Sequence, residues 1–88
     1  MNALILTPDG VVIETVIEPE DGSYLKPLQD LVGGYIEFAA TLDPEVEMVV
    51  NEDGHPLGLP LNHTATKTGA YGQPIVGTAV LIPAGSFD

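Results

Sequence analysis

Cysteine, tryptophan and arginine are absent from this chain of 88 residues, and lysine occurs only at Lys26 and Lys67. Without cysteine there is no disulfide framework and no thiolate ligand for a structural metal. No apolar run is long enough to cross a bilayer. The opening Met1-Asn2-Ala3-Leu4 has no basic region of the kind that begins a secretory leader. These absences fit a cytoplasmic protein of a bacterial cell, or of a phage inside one, with no membrane contact. The scarcity of cations has a further consequence. Thirteen acidic residues against two lysines give a formal net charge of −11, and such a surface repels phosphate backbones and anionic lipids. Direct binding of nucleic acid is therefore excluded as an expectation. The acidity serves solubility, or it forms a face that docks on a basic partner.

Catalytic groups are equally sparse. Ser23 and Ser86 are the only serines, and neither stands in a nucleophile elbow. His55 and His63 lack the helical spacing of a zinc pair. Glu45, Glu47, Glu52 and Asp53 lack the alternating acidic loop of an EF-hand. Thr66-Lys67-Thr68-Gly69 lacks the first glycine of a phosphate cradle. Developing negative charge in a transition state usually meets a preorganised donor or cation, and the chain has two lysines to offer. The expectation is a non-enzyme with no metal and no cofactor.

What the chain does have is alternation, punctuated by glycine and proline. A hydrophobic fraction of 44% is enough for one packed domain over 1–88, with 84–88 as a tail. The organising stretch runs from Leu25 to Phe38. Leu25, Leu28, Leu31 and Val32 fall on one side of a helix, Pro27 sits near its start where a missing N–H costs least, and Gly33-Gly34 stops it. Tyr35 to Phe38 then alternates as a strand, with Ile36 and Phe38 on one face and Tyr35 and Glu37 on the other. A helix this short is unstable alone and must lie on a sheet.

Before that stretch, residues 3–18 read as a hairpin around Pro8-Asp9-Gly10. Val11, Ile13, Thr15 and Ile17 share one face of its second strand, and Val12, Glu14 and Val16 share the other. After it, Asp43-Pro44-Glu45 turns into a strand from Val46 to Val50, and Asn51-Glu52-Asp53-Gly54 makes a second turn. Leu57 to Asn62 reads as an ordered loop or a single helical turn. His63 to Tyr71 reads as the least constrained segment, and Pro74 to Ile82 as a buried strand. The sum is α+β: a small antiparallel or mixed sheet of about five strands with one short helix packed on one face. The other face is left partly open, and a partner or a second copy, as a homodimer, would pack there.

Leu28-Gln29-Asp30-Leu31-Val32-Gly33-Gly34-Tyr35-Ile36-Glu37, Val50-Asn51-Glu52-Asp53-Gly54, Gly58-Leu59-Pro60-Leu61-Asn62 and Ile75-Val76-Gly77-Thr78-Ala79-Val80-Leu81 together resemble a family of small uncharacterised domains. Its members occur in bacteriophages and in actinobacterial and other bacterial mobile elements, sometimes beside antirestriction proteins. The likeness covers Leu28 to Ile82 and departs from the pattern at Pro27 and in the polar stretch around Lys67. It implies a genomic setting and no activity. The recurring residues have structural explanations as caps and turns. The functional alternative is a shared groove lined by Tyr35, Glu37, Asn51, Glu52, Asp53 and Asn62, because turns carry function more often than core strands.

Three functions follow as expectations. The first is a non-catalytic module of a phage or mobile element that binds a host protein through its acidic surface or open sheet face. The second is a DNA mimic that blocks a restriction or other DNA-handling enzyme, weakened by carboxylates that gather in loops rather than in a double row. The third is a binder of a small nucleotide, whose walls would come from Lys26, Lys67, Tyr24, Tyr35 and Tyr71.

Overall fold

The computed structural model describes residues 1–87. Five strands form one antiparallel sheet: β1 (Asn2–Leu6), β2 (Val12–Val16), β3 (Ile36–Ala40), β4 (Val46–Asn51) and β5 (Ala79–Pro83). Their order across the sheet is β2-β1-β5-β4-β3. The last strand in the chain is therefore the middle strand of the sheet. It bridges two hairpins, pairing Leu4 to Leu81 on one side and Met48 to Leu81 on the other. Strands β2 and β3 are the two edges.

Helix α1 (Leu25–Val32) carries the chain from one edge to the other and packs on β3, β4 and β5. Its N-terminus is poor by local criteria. Tyr24 makes no side-chain cap, and the first turn holds no acidic residue. Packing compensates, since Leu28 and Val32 are buried against Val49, Val80 and Ile82. At the C-terminus Gly33 takes a left-handed φ of 83° and its N–H returns to the Gln29 carbonyl, which a residue with a Cβ resists.

The other face of the sheet carries a second, separate cluster. Leu6, Met48, Val50 and Ala79 close over Ala65, which belongs to a six-residue helix, α2 (His63–Thr68). This adds a second helix to the expected α+β sheet and its one helix, and places it in the segment from His63 to Tyr71 that reads as the least constrained. The reason is Asn62. Its side-chain oxygen accepts from Ala65 N–H at 3.0 Å, and Thr66 Oγ1 donates to the Asn62 carbonyl at 2.8 Å. Capping thus starts a helix that three threonines would not begin alone.

Two further differences concern the C-terminal part. The strand expected from Pro74 begins only at Ala79, because Gly77 adopts a φ of 76° with Leu59 standing where a side chain would begin. Ile75 and Val76 instead tie the loop down, Val76 through a bridge to Leu61. The expected tail is packed as far as it is described. Phe87 meets Phe38 edge-on with ring centroids 5.2 Å apart, and Gly85 N–H donates to the Glu47 carboxylate at 2.9 Å. The final position of the tail, Asp88, lies outside the described residues.

Candidate functional site

The residues anticipated as a groove divide into two groups. Tyr35 is exposed where α1 turns into β3, Glu37 points outward from β3, and Glu52 and Asp53 are exposed in the turn after β4. Glu52 N–H donates to the Tyr35 carbonyl at 2.9 Å, so these positions do lie together at one end of the sheet. Asn51 sits beneath them, 5% exposed. Its amide donates to the Val32 carbonyl at 3.1 Å and its oxygen accepts from Asp53 N–H at 2.8 Å. It closes the C-terminus of α1 and shapes the turn.

Asn62 is not part of that groove. It is fully buried under the opposite face, and its Nδ2 donates at 2.9 Å to both the Leu6 and the Gly77 carbonyls. With the cap to Ala65, every hydrogen-bonding position directed into the fold is used. Among the described residues no buried side-chain nitrogen or oxygen lacks a partner.

Two shallow clefts flank the Tyr35 end. One, of about 520 Å³, runs between Lys26, Asp30, Tyr35 and Asp53. Its cation is already engaged, since Lys26 Nζ pairs with the Asp30 carboxylate one turn on. That hydrogen bond, with the charge behind it, holds the ammonium above its ordinary pKa. The other, of about 370 Å³, lies between β3 and the loop held by His55 Nε2 against the Pro74 carbonyl at 3.1 Å. Acids line both. Among the described residues no three His, Asp or Glu side chains gather where a metal ion could be held.

A third concavity is larger and of different character. Helix α2 is tied at its capped end to Leu6 and Gly77 and at its other end to Leu42, whose N–H meets the Thr68 carbonyl at 3.1 Å. The corner formed by β2, β1 and the lower half of β5 is left bare. There Leu4, Val16, Val46, Leu81 and Pro83 floor a cleft of about 840 Å³, with Glu14, Asp43 and Glu45 at its rim. Alternation explains the floor. Leu4 is paired with Glu14 and Leu81, and Val16 and Val46 stand two residues along from Glu14 and from Met48, the other partner of Leu81, so their side chains share one face.

The strand at the margin of this corner is unusually apolar for an edge. Val12, Ile13 and Val16 are 52%, 44% and 59% exposed, on both faces of β2. The sequence showed the alternation but not that β2 ends the sheet. Strand order depends on where β5 inserts, and no local pattern reports that.

The family model for a domain of unknown function, DUF3846, matches residues 1–87. No curated protein and no solved structure matches the chain.

Proposed function

Since the chain belongs to the DUF3846 family of domains of unknown function, membership brings no activity with it, and we propose that the protein is a non-catalytic interaction module of a phage or mobile element. It acts in the host cytoplasm by docking on a basic host protein. The docking surface is the bare corner of the sheet rather than the Tyr35 groove. One observation carries this reading: an aliphatic floor left uncovered by α2 and ringed by Glu14, Asp43 and Glu45. An apolar centre with a charged rim is how protein interfaces are commonly built. With a net charge of −11, the complementary rim is lysine and arginine, which accelerates encounter and discriminates against acidic competitors. The phage or mobile-element setting comes from the sequence resemblance.

The test is a pull-down from nuclease-treated bacterial lysate, with the wild-type protein and a Val16→Asp variant compared at low and high salt. Val16 is exposed, so the substitution alters the floor without emptying the core. The expected outcome is a basic protein retained by the wild type at both salts and lost with the variant. Equal retention by both forms, or no specific retention at all, would overturn the docking surface. A partner lost from the wild type at high salt would favour mimicry of DNA charge instead.

A further inference from the structure

The two edges of the sheet are treated differently. On β3, Ala70 N–H donates to the Ala40 carbonyl at 2.9 Å and Leu42 N–H to Thr68 at 3.1 Å, so the segment after α2 covers the far end of that edge. Nothing among the described residues covers β2. Its hydrogen-bonding phase follows from the hairpin. Met1 and Ile17 exchange both backbone bonds at 2.8 Å, and Thr7 N–H meets the Val11 carbonyl at 2.9 Å. In an antiparallel pair such bonded positions recur every second residue. Val11, Ile13, Thr15 and Ile17 therefore face β1, and the N–H and C=O of Val12, Glu14 and Val16 face outward. Free edges of natural sheets are usually protected by lysine, proline or a bulge. Here the sequence Val-Ile-Glu-Thr-Val has one charge and none of those devices.

Resting on the docking reading above, we infer that β2 is a strand-addition site. An extended segment of the basic partner becomes a sixth strand, antiparallel to β2, with a lysine or arginine beside Glu14. Backbone bonds to Val12, Glu14 and Val16 hold it in place. Two aliphatic side chains opposite Val12 and Val16 extend the bare floor, and residues between them meet Ile13 and Thr15 on the other face. Charge decides against a second copy as occupant. In the register centred on Glu14 the two Glu14 carboxylates would stand opposite each other, which destabilises a strand pair, and every register joins two chains of −11 each. A cationic strand relieves both.

The probe is the peptide acetyl-KVTKIVK-amide, which places lysine opposite Glu14 and valines opposite Val12 and Val16. It is titrated into the full chain labelled with ¹⁵N, and amide hydrogen exchange is followed residue by residue. The expected result is at least about tenfold slower exchange at Val12, Glu14 and Val16, where new main-chain bonds form. Ile13 and Thr15, already bonded to β1, change little. Methylating the nitrogens of both valines and the central lysine should abolish binding. Glu14→Lys should weaken it and transfer preference to the peptide with glutamate at the centre. Equal binding by the methylated peptide would overturn strand addition while leaving the docking corner in place. So would no binding at millimolar peptide, and the Val16→Asp pull-down then judges the corner by itself. Shifts confined to the Tyr35 end would sink both readings. Concentration-dependent protection of the three amides without peptide would make a second copy the occupant and overturn the inference.

Discussion

Asn62 and Asn51 do by side chain what the backbone cannot do for itself. Asn62 holds together carbonyls of Leu6 and Gly77 that belong to separate segments, and caps α2 with its remaining oxygen. Asn62→Ala removes three buried hydrogen bonds, to the Leu6 and Gly77 carbonyls and from the Ala65 N–H. At ~1 kcal/mol for each bond lost, the cost is about 3 kcal/mol. That lowers Tm by roughly 15 °C for a domain of this size, measurable by calorimetry. Asn62→Asp is the sharper experiment. Aspartate caps a helix as well as asparagine does, so at an exposed cap the change would be neutral. Here it turns two donors into a carboxylate facing two carbonyls, and the variant should be less stable than Asn62→Ala. Equal or greater stability for Asn62→Asp would show that the Leu6 and Gly77 bonds matter little. Both asparagines stand in glycine-bearing turns, where a ligand-binding reading is natural from the sequence. Their partners are 56 and 19 residues away for Leu6 and Val32, and nothing in the local pattern announces a tie across that distance.

The elements were legible where periodicity is local. The first hairpin, α1, β3 and β4 all follow from alternation and a glycine stop. Helix α2 was not, because His63-Thr64-Ala65-Thr66-Lys67-Thr68 consists largely of weak helix formers. It persists through Asn62 and through Thr66 Oγ1, which accepts from Ile75 N–H at 2.9 Å. Strand β5 is shorter than its apolar run suggests, since the left-handed turn at Gly77 depends on Leu59 lying against it. For α1, packing rather than capping supplies the stability. Leu28→Ala, at a fully buried position, should cost about 3 kcal/mol, read as a lowered denaturant midpoint. A loss below ~1 kcal/mol would mean that the site collapses around the cavity. For β2, Glu14 is the one charge that keeps an exposed aliphatic edge from pairing with itself. Glu14→Val should convert the protein to concentration-dependent oligomers in sedimentation at moderate salt. A variant that stays monomeric at high protein concentration would show that the edge is guarded by something other than Glu14.

At the scale of the whole molecule, charge and topology act together. The chain measures 31 × 27 × 20 Å. At ~0.01 M salt the screening length is about 30 Å, so the acidic residues among those described repel one another across the entire body. Raising salt to ~0.5 M should raise Tm by several degrees as that repulsion is screened; an unchanged or lowered Tm would show that the carboxylates are already spaced widely enough to be independent. The α+β class is readable from composition and alternation. The strand order is not, and with it goes the identity of the free edge, because both depend on β5 entering between two hairpins that are complete without it. That placement also governs when the protein can exist. Each hairpin can close soon after it is synthesised, but neither is stable alone. The strand that joins them is the last of the five to leave the ribosome. A nascent chain that has made everything through α2 still has two unlinked halves with two aliphatic faces in water. Folding should therefore come late, as a single step after Pro83 emerges, and at the slower rates of chains dominated by distant pairings. Until then the exposed halves are substrates for chaperones and proteases.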